Sequence, residues 1–574
     1  MRLASRPRSD ARAEGPAIGR AAVFLPLVCA LTFAVLVASV EPQISDTNFY
    51  SLWEASALLH GDHPYRDFFE WGIPLQAAVS ALAQVMLGPR LLSEFIVQWL
   101  GIVTGVGVAF AIARRVSSAP AAFATILLAL PSVAATSTYH YPKLLFYPLA
   151  IWAGWRYFDV PTRGRGAIVG ALTAAAFLYR HDHGIYAGLA AVFVFVTTGL
   201  AGREPGGWRR LGSHALAYVG AAVLCLLPWA VLVQSGEGLP QYLTRRLAFY
   251  VDVTPPSAQF FGPGSPFRRL LTTNPFAAVV APSTFDGAPP LQQLALALPV
   301  LLLGLIAMDA RTRPGPGPRL DHRAWLTLPA ALFLLVVDVQ LFREPGYALL
   351  VYPMTMALGS QLLVRGGRWR AAFSAMLLLG VLNVYGMVRG TPLTRPWELV
   401  TERAPRALAQ LLATPPLDAF MSREAAEAML AATGGDAWNL GTLSEGRHPL
   451  LRYLHDCTSP EDRVWVSGST PFHVGYLIDR RIAGGHLYWH QAWRRDPEGQ
   501  AVSLRLLRST SVPFLFSAND PVLDELVPYP QIREHVLGHY DEVPGTAGHL
   551  FVERGRMPTS TFGPARFPCF GTGR

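Results

Sequence analysis

The sequence predicts a polytopic α-helical membrane protein of about eleven spans that carries a C-terminal soluble α/β domain. Three observations predict it. The 574 residues are 51% hydrophobic and only 15% charged, well below the ~25% charged share of soluble domains. Apolar runs near the ~20 residues that a membrane helix needs recur at 21–40, 93–113, 119–138, 144–158, 167–179, 185–200, 213–234, 291–308, 325–342, 347–364 and 371–389. Arginines collect in alternate connections, as expected for loops that stay on the cytoplasmic side.

Residues 1–20 form a basic start with Arg2, Arg6, Arg8, Arg12 and Arg20. Val37-Ala38-Ser39 resembles a signal cleavage site, but the apolar run before it is long for a signal core, so a retained first helix is expected. With this start in the cytoplasm, Arg114/Arg115, Arg156/Arg163/Arg165, Arg203/Arg209/Arg210, Arg311/Arg313/Arg319/Arg323 and Arg365/Arg368/Arg370 all fall on the same side. The rule holds only if Ile73 to Leu87, too short to cross easily, stays outside as a re-entrant or interfacial piece. Eleven spans then leave the C-terminus outside, which reads as a multi-pass protein of the bacterial inner (plasma) membrane with a periplasmic C-terminal domain. The net charge of +9 is accounted for by these anchoring arginines beside anionic lipid, and no nucleic-acid partner is expected.

The first outer loop, 41–92, places Asp46, Asp62, Asp67 and Glu70 with His60, His63, Tyr65 and Arg66 at the end of a membrane helix. Ionisable residues gathered at such a surface point to a functional site. Of 48 basic residues all but Lys143 are arginine. Lys143 follows His140 at the outer end of span 119–138, where a compact ammonium suits a phosphate; a lysine snorkelling at the interface explains the position too. On the same face Arg180-His181-Asp182-His183-Gly184 makes a very tight outer turn. It lacks a full metal-ligand set and reads either as a phosphate-facing arginine with hydrogen-bonding histidines or as a self-satisfied polar turn. Asp338 near the outer end of span 325–342 has Arg343 as a neighbouring cation.

The outer loop 235–290 is too long for a connector. Within it Leu239 to Tyr250 reads as an interfacial amphipathic helix, with Leu239, Tyr242, Leu243, Leu247 and Tyr250 set against Arg245 and Arg246. It is a candidate cover for an active site. From about residue 390 to 574 the chain reads as a small α/β domain. Expected strands are Arg463 to Ser467, Val512 to Ser517 and His549 to Glu553, with helices after Pro471 and over Pro521 to Leu537. Cys457 and Cys569 are either a disulfide or two buried thiols. The run from His486 to Trp493 has the composition of a sugar-stacking strip, though a core or an interface uses such aromatics equally.

Several of these patterns together resemble the GT-C superfamily. They are the acid after the first span, the loop Gly61-x-x-Pro64-Tyr65-x-Asp67-Phe68 closed by Gly72-Ile73-Pro74-Leu75, and Tyr141-Pro142 beyond the third span. The turn from Arg180 to Gly184 and Arg343 ahead of Tyr352-Pro353 complete the set. Within that superfamily the chain is most similar to bacterial transferases of the protein O-mannosyltransferase, aminoarabinosyl and galacturonosyl transferase group, whose donors are polyprenyl-phosphate sugars. Two positions depart from the pattern: the usual acidic pair is Asp46-Thr47, and His140 or Lys143 stands where a later outer carboxylate is expected. The resemblance implies direct displacement with inversion, with Asp46 as general base and Lys143, Arg180 and His140 at the donor phosphate. Asp62, Tyr65, Arg66, Asp67, Glu70, His181, His183 and Arg343 would line or support the site. It implies no obligatory cofactor and leaves a divalent metal open. The partners would be the bilayer, a polyprenyl-phosphate sugar lipid and an outer acceptor: a glycan, lipid or protein. A transporter, flippase or polymerase of lipid-linked glycans is the alternative, but such proteins place their sites near the midplane, whereas these charges gather at one face.

Overall fold

The computed structural model describes residues 17–38, 49–135, 141–201, 207–253, 370–371, 374, 378, 398–412, 422–433, 449–467, 472–486, 489, 494–517, 520–564 and 566–571. The described residues of its first half are mostly helical. Helix α1 (Ala17–Ala38) is followed by the short α2 (Phe49–Leu59) and α3 (Pro74–Leu87). Then come α4 (Leu91–Val116), α5 (Ala119–Ala135), α6 (Tyr141–Asp159), α7 (Arg163–Tyr179), α8 (His181–Ala201) and α9 (Gly207–Gly236). Helix α10 (Leu239–Val253) closes this half.

The first seven expected spans coincide with α1 and with α4 through α9. By length and hydropathy, two helices among the described residues are long and apolar enough to cross a membrane, Leu91–Arg115 and Arg209–Gly236. The last four expected spans lie outside the described residues, apart from isolated helical positions at 370, 371, 374 and 378.

The segment from Ile73 to Leu87 forms the 14-residue α3, started by a proline. At ~1.5 Å per residue it spans about 21 Å, short of the ~30 Å hydrocarbon core. Its polarity is inside out: Gln76, Ser80 and Gln84 are buried, while Leu82, Val85 and Met86 are exposed. That is the face a lipid-contacting helix presents.

The C-terminal part holds a five-stranded sheet. Its strands are β1 (Arg463–Ser467), β2 (Arg481–Ile482), β3 (Phe514–Ser517), β4 (Tyr540–Glu542) and β5 (Leu550–Glu553), in the order β2-β1-β3-β5-β4. Strand β1 pairs parallel with β2 and β3, and β5 pairs antiparallel with β3 and β4. Alternate residues of a strand face opposite sides, and this domain uses both. Val464 and Val466 join the core that runs on into the membrane helices, while Trp465 packs with Trp489, Leu507 and Ile532 on the other side.

The expected helix over Pro521 to Leu537 is instead two, Val522–Glu525 and Pro530–His539. Pro528 and Pro530 explain the break, since neither supplies a backbone N–H and the residue before each is pushed out of the helical region. Cys457 and Cys569 form a disulfide with Cα atoms 4.3 Å apart. The segment Ala404–Leu412 packs on α1 and α4.

Three contacts seat the sheet domain on the first outer loop. Asp62 receives two hydrogen bonds from Arg463, at 2.6 and 2.9 Å. The Phe69 N–H donates to the Gly485 carbonyl at 2.8 Å. Helix Phe472–Leu477 lies so close on α2 that a Cβ at Gly475 would overlap the Trp53 ring.

Candidate functional site

The site is organised by the corner between α7 and α8. Helix α7 ends at Tyr179, Arg180 is extended at φ −163 and ψ 121, and α8 begins at His181. A corner this sharp brings Gly184 over Phe177, where a Cβ would overlap that residue's backbone. Consecutive side chains therefore leave the corner in different directions, and they serve two clusters.

The first cluster is cationic. Arg180 Nε lies 3.2 Å from Asp182 Oδ1, His183 Nε2 lies 3.8 Å from the same oxygen, and the His183 N–H donates to it at 2.9 Å. Lys143, in the first turn of α6, is buried at 1% exposure and acts electrostatically on Asp182. The Tyr147 ring, one turn further along α6, stands 5.5 Å from His183. Burial opposes ionisation of Asp182, but Arg180, His183 and Lys143 together outweigh it and hold the carboxyl below its ordinary range. Lys143, Arg180 and His183 thus converge on the Asp182 carboxylate.

The second cluster is a clamp around Glu70. Its carboxylate accepts from the Tyr65 hydroxyl at 3.1 Å and from the Ile73 N–H. Arg246 from α10 lies 3.7 Å from Glu70 Oε2 and donates to the carbonyls of Trp71, at 3.0 Å, and of Glu70 itself. The Trp229 indole N–H of α9 donates to the Tyr65 hydroxyl at 2.9 Å. Tyr65 sits at φ 69, a left-handed conformation that is costly for an aromatic residue and is held by these contacts. Glu54 of α2 accepts the Trp71 N–H at 3.1 Å. Burial, and after it the charge of Glu70, raise the Glu54 carboxyl well above its ordinary range. Burial likewise raises Glu70, against the lowering pull of Arg246.

The expected site residues therefore divide. Lys143, Arg180 and His183 come together; Tyr65, Glu70 and His181 come together in the clamp. Asp62 is committed to Arg463 and the sheet domain. Asp67 pairs at 2.7 Å with the exposed Arg66 and caps the His63 N–H at 2.9 Å. Asp46, His140 and Arg343 lie outside the described residues, as does Asp338.

Sequence reasoning missed Glu54, Trp229, Glu237 and Arg494 as members of this region. It also read α10 with its apolar stripe as one face. The helix instead buries Tyr242 and Arg246 and exposes Leu243 and Leu247. Spacing of i and i+4 on one helix was the available signal for that pair. Glu237, in the turn before α10, bonds Arg245 at 2.9 Å and Arg494 at 2.5 Å, and the Arg494 guanidinium covers the Phe69 ring at 3.2 Å. In the aromatic run, His486 and Trp489 belong to the domain core, stacked in turn on Trp465. Among the described residues, no three His, Cys, Asp or Glu side chains converge to hold a metal ion.

No family model matches the chain, and no curated protein matches it in sequence. Among solved structures it is similar to ArnT from Cupriavidus metallidurans bound to undecaprenyl phosphate. That match has TM-score 0.45 and 14% identity, over 93% of this chain and 98% of that one. It is also similar to the Archaeoglobus fulgidus oligosaccharyltransferase in complex with Zn and sulfate. There the TM-score is 0.46 and the identity 13%, over 86% of this chain and 67% of that one. Residue roles rest on the geometry above.

Proposed function

We propose that the chain is a membrane glycosyltransferase that moves a sugar, with inversion, from a polyprenyl-phosphate donor to an acceptor outside the bacterial plasma membrane. The observation that carries this reading is the cationic cluster: the only lysine of the chain is buried beside Arg180, Asp182 and His183 at the outer end of a membrane helix. Burying an ammonium is expensive unless charge offsets it, and Lys143 and Arg180 gathered at one carboxylate are the residue types that hold a phosphate. A lipid phosphate reaches that depth from within the bilayer, and a polar acceptor reaches it from outside.

In this reading Asp46 takes the proton of the acceptor hydroxyl as the sugar's anomeric carbon is attacked. The bond to the polyprenyl phosphate breaks on the opposite side. Lys143 and Arg180 stabilise the charge developing on the departing phosphate, where fixed donors in a poorly hydrated site act most strongly. The clamp around Glu70 holds the loop that frames this space.

The test is transfer from a synthetic polyprenyl-phosphate sugar by the purified, reconstituted protein. Asp46→Asn keeps the shape and removes the base, so turnover is expected to fall ~10²–10⁴-fold with folding unchanged. Normal turnover by this variant sinks Asp46 as the base. Movement of lipid-linked sugar across the vesicle without any transfer favours a flippase instead.

A further inference from the structure

We propose that His181 is a positioning residue that ties α10 to the anion-facing corner, setting Arg180 through the hydroxyl of Tyr242. The inference rests on the transferase reading for its kinetic consequence and on hydrogen-bond direction for its geometry. Nδ1 of His181 lies 2.8 Å from the Phe177 carbonyl, which only accepts, so this nitrogen carries the hydrogen. Nε2 is then an acceptor and takes the Tyr242 hydroxyl hydrogen at 2.7 Å, in preference to Glu70 Oε2 at 3.4 Å from the same hydroxyl. The Tyr242 oxygen in turn accepts from Arg246 Nε at 3.2 Å. The same guanidinium holds the carbonyls of Glu70 and Trp71. A directed chain thus runs from α7 through His181 and α10 to the first outer loop.

The ring has no freedom to leave that arrangement. It stacks on Phe177 at 4.1 Å with planes 6° apart and meets the edge of Trp229 at 5.3 Å. Its own backbone N–H donates to the Gly72 carbonyl at 3.1 Å. Arg180 is the adjacent residue, and it is the single extended residue of the corner, so a shift of His181 is passed to the guanidinium that faces Asp182. Burial, and next the charge of Arg246, push the imidazole down to about 3, in keeping with a permanent acceptor rather than a proton carrier. The sequence places His181 beside His183 as though both faced one site; the corner sends them to different clusters.

The experiment compares His181→Phe, Tyr242→Phe and the double variant. Donor kcat/KM and thermal midpoint are both measured on reconstituted full-length protein. His181→Phe keeps the stacking ring but removes the links to Phe177 and Tyr242, leaving the hydroxyl the longer 3.4 Å contact with Glu70 Oε2, and about a tenfold loss of kcat/KM is expected. Tyr242→Phe also takes the acceptor from Arg246 Nε, and if the two residues act as one link the double variant is expected to lose less than the product of the two single losses. Losses that multiply in the double variant overturn the coupling. So does a wild-type pH profile of kcat/KM whose acidic limb disappears in His181→Phe, since that marks a proton carrier. If the wild type transfers no sugar at all, the transferase reading has failed, and the thermal midpoints of the same three variants still decide the coupling.

Discussion

The two clusters at the α7–α8 corner differ in how their charges are met. In the clamp, Glu70 is met by donors from its own loop and from α10, and Arg246 spends its guanidinium on two carbonyls, a hydroxyl and a carboxylate. In the cationic cluster, Lys143 and Arg180 share the one carboxylate of Asp182 among the described residues. The difference teaches that buried charge has two uses here. A closed set of hydrogen bonds fixes segments to one another, whereas cations gathered at one carboxylate form, in the proposed reading, the place for the donor phosphate. The comparison predicts that damage to the clamp appears first in stability, reaching donor kinetics only through His181 beside Arg180, and that damage to the cationic cluster appears first in donor kinetics.

The largest expected effect is on stability and lies in the clamp. Arg246→Met removes the cation and leaves Glu70 buried at 1% side-chain exposure. Breaking a buried pair from one side costs about 3–5 kcal/mol, to be read as a lowered unfolding midpoint in detergent. An unchanged midpoint would mean that the clamp is not closed as described.

Next comes Lys143→Met, expected to cost ~10²–10³ in donor kcat/KM, the range for removing one fixed group that stabilises developing charge. Its unfolding midpoint should fall by less than that of Arg246→Met, because Arg180 and His183 still meet the Asp182 carboxylate. Lys143→Arg should recover only part of the activity, since a guanidinium is larger and planar where an ammonium is compact. Full recovery by arginine reduces Lys143 to a snorkelling anchor. A large drop in stability from Lys143→Met would erase the contrast between the clusters.

Acid should separate them as well. His181 is held at about 3 against an ordinary 6.5, so the unfolded chain binds its proton first. The stability it lends is complete above pH 6.5 and drains as pH falls toward 3, by up to ~1.4 kcal/mol per pH unit. Asp182 is shifted down from 3.8, and its contribution is lost only as pH drops through that lower value. Glu54 and Glu70, both raised by burial, take up protons in the native state over part of the same range and offset the loss. The measurement is therefore the difference between wild type and His181→Phe, which should shrink steadily from pH 6.5 to 4. A constant difference would place a charged imidazole in the clamp.

What the sequence made legible follows from the range of the forces involved. Hydropathy is local, so the helices from α1 through α9 that carry the first seven spans were readable. The strands β1, β3 and β5 announced themselves as short β-branched and aromatic runs between turns. The corner at Arg180 was readable because too few residues separate two apolar runs. The proline break between Val522–Glu525 and Pro530–His539 was also written in the chain, at Pro528 and Pro530. The clamp was a different matter. Glu70 and Arg246 are 176 positions apart, and α10 buries a tyrosine and an arginine while exposing leucines, which is the reverse of the pattern for a soluble helix. Asp62, Asp67 and Glu70 look alike in sequence, and only tertiary contact gives one to Arg463, one to an exposed arginine and one to the clamp.

The smallest expected effect probes how tightly the clamp is closed. Tyr65 gives its hydroxyl hydrogen to Glu70 and takes the hydrogen of Trp229, so one oxygen joins the first outer loop to α9. Tyr65→Phe keeps the ring, its edge contact with Tyr242 at 5.4 Å and the left-handed backbone, and removes that oxygen alone. The Trp229 N–H then loses its acceptor and Glu70 one of its donors, a cost of about 1–3 kcal/mol for buried polar groups left unmet. Glu70 still has Arg246 and the Ile73 N–H, which keeps the loss below that of Arg246→Met. Because the cationic cluster touches neither Tyr65 nor Trp229, donor binding at fixed temperature should change by less than about threefold, the size of an ordinary peripheral substitution. A loss of donor binding as large as that from Lys143→Met, with the unfolding midpoint intact, would place Tyr65 against the substrate and make the clamp part of the binding site.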